Sequence, residues 1–562
     1  MKNFNSLYKA TALGVAMVFG TSVLVMNGCK NPAQDIKVAI ATESLSKSAT
    51  LIRFVKANPT AGAALPATIT VTIGGPGKDF VQTDNGGKDF VASNGLLPIS
   101  LNRFSNPTVA SPVVFTISAN VTGYAPIFQK FTITSADDIN NVVIPLLSYA
   151  NPADGTAVSQ TDKPLTGGAS VAETKIETAV TATTPQTVEL AIPAGTQVLD
   201  ANKQVIAATS LKTTMVYYGT TDVDALDAVA PMLTAVNPIG PNNQPITGEV
   251  SFITAGAVSI DMTAGSTAVK NFSKSITAEI EINPALINPT TALAVKAGDV
   301  IPVWSLDEST GQWKYEGTTT VSNTGGKLVA LININHLSTW ALNWYTSTEC
   351  SGSVNISLGA DEDTYVGYQI VIASASGQVL AELAPDLSRV RRVVGAGSAR
   401  AFSLLRRGRL LPGKIIVYSR RGDRSSKVLE TAVGGCTDVA ITIPAPAFTD
   451  FVDTDIIFVA KCTNKNIIAY PTTWMTLKDA TDNSSSDVEM VNGKLSLKLK
   501  NGHTYSISAV YDEKTYTSEA IKIDRTQSIS VSNAAGLKVT GSYNAGSKIM
   551  NLDAEFVVTD CK

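Results

Sequence analysis

Histidine is almost missing from this chain: it has two in 562 residues, alongside five cysteines. Two histidines exclude His-rich metal centres and leave few places for an imidazole base. Charged residues make up only 16 % of the chain, and Gly plus Pro account for 41 plus 25 positions. That composition excludes long charged helices and coiled coils. Apolar residues reach 44 %, enough to bury cores, which excludes global disorder. There is no Gly-x-Ser-x-Gly elbow, no phosphate loop and no dinucleotide fingerprint, so the commonest hydrolase and nucleotide-binding signatures are missing. No cofactor is expected, and no Cys-x-x-Cys or His cluster offers a metal site. Acid pairs such as Asp307 with Glu308, and the run Asp361, Glu362, Asp363, read as turns without a calcium-loop spacing.

The first residues set the compartment. Residues 1–9 carry two lysines and no acid, and 11–26 form an apolar run that ends at Asn27, Gly28 and Cys29. A positive start, an apolar stretch and a small residue before a cysteine make an export signal, too short to be a membrane span. The Gly28–Cys29 junction resembles a bacterial lipoprotein signal of the Bacteroidetes type. That resemblance implies removal of residues 1–28, acylation of Cys29, a tether over 29–36 and an anchor in the membrane. The expected location is the cell envelope, with the outer membrane as the anchoring surface. An export route permits disulfides. Cys350, Cys436, Cys462 and Cys561 allow three pairings, and the domain reading favours Cys350–Cys436 and Cys462–Cys561.

Beyond the tether, Val-, Ile- and Thr-rich segments alternate at period two and are separated by Gly, Asn-Gly and Pro turns, as over 67–73, 113–119 and 414–418. The pattern predicts an all-β chain of serial β-sandwich domains. Helical periodicity is scarce; its best stretch is 222–234, before Pro238. The predicted domains are 37–150, 155–346, 347–447 and 450–562. The 37–150 block resembles the transthyretin-like regulatory modules of carboxypeptidases.

The second block holds one motif with chemistry in it. It contains Trp304, Trp313 and Gly317, then His336, Leu337 and Ser338 ahead of Trp340. Over about 160–345 it resembles the GAIN domains of adhesion receptors and their relatives in ankyrins and netrin receptors. Around Trp304 it is also similar to cartilage intermediate layer protein. The resemblance implies a scissile bond between Leu337 and Ser338. The receptor motif braces its strand with paired cysteines, whereas this chain has Thr318, Ile332 and Ile334 in such places. From the residues alone, an unbroken strand over 328–344 would put His336 and Ser338 on one dry face. Burial keeps an imidazole neutral, able to take the Ser338 proton for attack on the Leu337 carbonyl. The alternative on the same residues is a hydrogen-bonded core histidine with Ser338 as its partner. No turnover of an external substrate is expected.

Residues 389–427 hold twelve cations against Asp423 alone, so their net charge is twelve minus one, +11. Arg406, Arg407 and Arg409 sit at the centre of the stretch and suit capture of phosphate or carboxylate. The partners this predicts are anionic glycan, lipopolysaccharide or an acidic protein face, not nucleic acid; a solvated sheet face explains the charge equally. Arg421, Gly422 and Asp423 spell an integrin-type tripeptide that chance accounts for. His503 lies at a turn, and Trp474 alone among the five tryptophans is free to lie at the surface, too little for a sugar-binding platform. The reading as a whole is an anchored adhesive or scaffolding stalk; a glycan-binding accessory of an uptake system is its alternative.

Overall fold

Alternation of β-branched and polar residues becomes alternation of burial wherever a strand has one face on a core. In the computed structural model, the strand Asn271–Ile282 buries Ile276, Ala278, Ile280 and Ile282 and turns Thr277 and Glu279 outward. The structure describes residues 38–558 apart from 42–45, 59, 84–85, 137–139, 221, 230–233, 308–309, 346–351, 361–363, 366, 376, 385–400, 406–412, 421–422, 435–436, 464–466, 512–513 and 533–536. The fold is all-β and built of several sandwich-like units. No helix among the described residues is long and apolar enough to cross a membrane. The helix Val223–Val229 falls inside the predicted stretch, with Asp222 accepting from the Asp224 amide at its start.

In each unit two sheets face one another across an apolar core, and the cores of the second and third units run together. In the first, Ser46–Lys56 and Leu96–Asn102 face Val113–Ala119 and Ile127–Ile133 across Ile52, Phe54, Phe115 and Phe131. The second packs an eight-stranded sheet, including Ile253–Ala264, Val300–Asp307 and Thr339–Trp344, on a six-stranded one holding Asn271–Ile282 and Lys327–His336. The third places Ser353–Leu358 and Val439–Ile443 over Gln369–Ser374 and Gly413–Tyr418. The fourth sets Phe451–Cys462 and Ile549–Val558 over Thr473–Asp479 and Thr504–Tyr511.

Three of these units share one device. Their opening and closing strands are parallel neighbours: Ser46–Lys56 with Asn140–Leu146, Ser353–Leu358 with Val439–Ile443, and Phe451–Cys462 with Ile549–Val558. Parallel neighbours run the same way, so the chain enters such a unit at one pole and leaves at the other.

The expected stalk is not what forms. The strand Val38–Ala41 pairs not with the first unit but in parallel with Ile467–Tyr470 of the fourth. The first unit also touches the fourth directly. Leu51, Leu96, Trp474 and Val510 share a small core, and Arg53 forms an ion pair with Asp487. The second unit joins the first through Trp304, Trp313, Phe252, Ala57, Ala125 and Leu147, and it joins the third through Gln378. The Gln378 side chain, 1 % exposed, donates to the Phe252 carbonyl at 2.8 Å and accepts from the Thr254 amide at 3.3 Å. Buried polar groups need partners, and here the partners come from the neighbouring unit. The serial reading of the sequence therefore becomes a chain that folds back on itself.

Candidate functional site

The chain crosses between the two sheets of the second unit where the sequence puts its reactive motif. Lys327–His336 ends in the six-stranded sheet, and Thr339–Trp344 begins in the eight-stranded one. The expected unbroken strand is thus split at Leu337 and Ser338. Burial alternates as expected through Ile334 and then changes. Ile332 and Ile334 are buried, but the His336 side chain is 39 % exposed. Ser338 is 4 % exposed. Its hydroxyl donates to the Leu306 carbonyl and, at 3.3 Å, to that of Thr339. The Leu337 amide donates to the Lys270 carbonyl at 3.0 Å, which pins the crossover.

His336 faces another way. Its Nε2 lies 3.8 Å from Glu316 Oε1, and its ring sits 5.1 Å from the Trp340 ring. Trp340 Nε1 donates back to the His336 carbonyl at 3.3 Å. Burial raises the Glu316 carboxyl, but the nearby His336 ring and the hydrogen bonds from Ser305 and Lys314 outweigh it and hold it down to about 2. Sequence reasoning did not pick out Glu316; its signal was its place three residues after the buried Trp313, on the strand beside the motif. The hydroxyl that the motif would use is bonded to Leu306, and the imidazole lies beside Glu316 instead.

Of the four cysteines expected to pair, Cys462 alone lies among the described residues. Cys462 ends Phe451–Cys462, is 9 % exposed and stands opposite Val558, three residues before Cys561. Val354 stands opposite Val439, four residues after Cys350 and three after Cys436. Cys29, Cys350, Cys436 and Cys561 lie outside the described residues, as do Arg406, Arg407 and Arg409. The described cations of the basic stretch have acidic partners. Lys414 and Lys427 both pair with Glu430, Arg420 pairs with Asp423, and Arg424 pairs with Asp227 of the helix. Asp423 also caps the short turn Arg424–Ser426, accepting from the Ser425 amide at 2.9 Å. That capping bond gives the acid of the Arg-Gly-Asp tripeptide a local structural role.

Trp304, Trp313, Trp340 and Trp344 are buried as expected, between 0 and 2 % exposed. Trp474 is not at the surface: it is 6 % exposed, and its indole N–H donates to the Ala49 carbonyl at 3.2 Å across the seam with the first unit. Burying a large ring against an element some 400 positions away is a long-range event that local pattern does not encode. His503 Nδ1 lies 2.8 Å from Asp479 Oδ2, and Asp482 stands close enough to complete a three-ligand group. Its acceptors are in use, however: Asp479 takes the amides of Thr481 and Asp482, and Asp482 pairs with Lys500.

The same seam holds a cavity, lined from the first unit by Arg103 and Phe104 among others and from the fourth by Thr473 and Trp474. Sequence reasoning missed it. Its one trace was Arg103, one of only three arginines outside the basic stretch, beside Phe104 in a turn.

No protein-family model matches the chain, and no curated protein matches it. Solved structures similar to it include the TIE protein of Bacillus anthracis, at 9 % identity over 72 % of this chain and 75 % of that one, with a TM-score of 0.13. They also include GBS52, the minor pilin of Streptococcus agalactiae, at 10 % identity over 38 % of this chain and 99 % of that one, with a TM-score of 0.12. The full-length pilus protein RrgB of Streptococcus pneumoniae is similar at 8 % identity over 92 % of this chain and 100 % of that one, with a TM-score of 0.13. These superpositions are too loose for the role of any of the three to bear on this chain.

Proposed function

We propose that the chain is an exported, lipid-anchored protein of the cell envelope that works by binding, as an adhesin or scaffold, from the outer membrane. The observation that carries this reading is the strand Val38–Ala41, which begins nine positions after Cys29 and is built into the sheet of the fourth unit. Nine Cα steps reach at most about 30 Å. An acyl anchor on Cys29 would therefore hold the whole all-β body close to the bilayer, with the first and fourth units nearest to it. Acyl burial is worth ~0.8 kcal/mol per CH₂, and two or more chains anchor stably.

Replacing Cys29 by Ser tests the anchor. The wild type is expected in the membrane pellet and Cys29→Ser in the soluble fraction; a variant that still pellets overturns the reading. The cystines Cys350–Cys436 and Cys462–Cys561 belong to the same proposal. The intact mass of the membrane-extracted chain reads acylation and both cystines together. Docking through Arg406, Arg407 and Arg409 to an anionic surface predicts salt-sensitive retention on an anionic matrix, lost when the three become Ser.

Cleavage between Leu337 and Ser338 is the finer part of the proposal. It requires Ser338 to leave the Leu306 carbonyl and His336 to leave Glu316 before the two can meet. Two fragments in denaturing gels, lost in Ser338→Ala, support it; a single full-length band from wild type overturns it.

A further inference from the structure

The seam cavity has a volume of about 260 Å³ and walls from two units far apart in the chain. Several features there are left over from folding. Phe104 is 75 % exposed, one of the most exposed large apolar side chains among the described residues. The Arg103 guanidinium lies over its ring, 4.8 Å from the centroid. Among the described residues that line the cavity there is no carboxylate. The Thr473 hydroxyl is buried and has no hydrogen-bond partner. Alongside them stand Gln82 and Ser100, donors and acceptors that can meet hydroxyl groups. Backbone strain lies at the same place. Ser48 holds a φ of 49°, at the irregularity in the pairing of Ser46–Lys56 with Leu96–Asn102, next to the Ala49 carbonyl that takes the Trp474 indole.

A guanidinium that meets no carboxylate among the described lining residues and a bare aromatic face, both on one small cleft, are groups that a ligand would satisfy. We propose that this cavity binds a single carboxylated sugar unit of the uronic acid kind. Arg103 takes the carboxylate through its fork of N–H donors, and its stacking on Phe104 holds the guanidinium plane in place. Phe104 offers its ring to the apolar face of the pyranose. Gln82 and Ser100 bond the sugar hydroxyls, and Trp474 forms part of the wall. The cavity falls below the ~300–1,000 Å³ usual for larger small-molecule ligands, which suits one ring rather than a long chain. The inference rests on the reading of this chain as a binding protein and gives that binding a ligand class.

The test uses the full mature chain in detergent and titrates D-glucuronate, D-glucose and acetate by calorimetry and saturation-transfer NMR. Glucuronate is expected to bind at least tenfold more tightly than glucose or acetate. Arg103→Gln should weaken glucuronate by tenfold or more and leave glucose unchanged. Phe104→Ala should weaken both sugars, and Gln82→Ala should weaken glucuronate several-fold. Arg103 and Phe104 are exposed, so their replacement leaves the fold intact; an unchanged circular dichroism melt confirms that control. Equal affinity for glucuronate and acetate overturns the sugar, and equal affinity for glucuronate and glucose overturns the carboxylate. Unchanged binding in Arg103→Gln, no binding at about 10 mM, or tighter binding of an Asp-rich peptide overturns the proposal outright. Membrane retention of the same variants is read in parallel. Lost sugar binding with retention intact separates failure of this site from failure of the anchored-protein reading.

Discussion

Glu316 decides how His336 is held, and it can be tested alone. Its carboxyl sits at about 2 in the folded chain against an ordinary 4.5. A carboxylate depressed on folding contributes stability that is complete above the unfolded value and lost as pH falls towards the folded one. Wild type should therefore lose stability between about pH 4.5 and 2, and Glu316→Gln should lose that part of the slope. Chemical denaturation across this range in both proteins checks it; parallel curves would show that the carboxyl does no such work. At this scale the motif itself was legible in the sequence, and so was the run of buried even positions up to Ile334. The orientation of His336 was not. It follows from a change of sheet at Leu337, and a period-two pattern looks the same on both sides of such a change.

Strands were the most legible elements, because β-branched alternation is a local signal. Their partners were less so. Gly413 shows why. It opens Gly413–Tyr418, and a Cβ placed on it would meet the Ala373 carbonyl of the neighbouring strand at 2.0 Å. Gly413→Ala is expected to destabilise the third unit by about 2 kcal/mol, from forced separation of paired backbones. Hydrogen exchange localised to Gln369–Ser374 and Gly413–Tyr418 reads it, and unchanged protection would refute the close approach. The cysteine pairs belong to this scale too. The sequence favoured Cys462–Cys561 by bracketing one block; parallel pairing of Phe451–Cys462 with Ile549–Val558 brings their ends to the same pole. Reduction is expected to cost the fourth unit about 2–4 kcal/mol. Cys462→Ser should start at that lower stability and not respond to reductant, as urea unfolding with and without reductant will show.

Across the whole molecule, the return of the chain on itself depends on a few groups at one seam. Arg53 donates to Asp487 and, at 2.9 Å, to Thr476, and the Asp487 side chain is 6 % exposed. Removing the cation leaves a buried carboxylate short of partners, at a cost of about 1–3 kcal/mol. Arg53→Met should loosen the first unit from the fourth. Trp474 is the one tryptophan outside the second unit, so the opening should appear as increased quenching of its fluorescence by acrylamide, with the difference abolished in a Trp474→Phe background. Unchanged quenching would mean that the small apolar core around Trp474 holds the seam without the ion pair.

The sequence by itself determined the all-β class, the make-up of several sandwich-like units and the burial of four tryptophans. Each of these rests on neighbours in the chain, through charge, apolar periodicity or turn residues. Tertiary structure alone decided that Val38–Ala41 joins the last unit, that Trp474 is buried, that His336 and Ser338 face different neighbours, and that Arg103 and Thr473 line one cleft. These are pairings between residues tens to hundreds of positions apart. They are selected by which sheet edges and apolar faces remain to be covered once the local strands have formed, and no window of sequence records that choice.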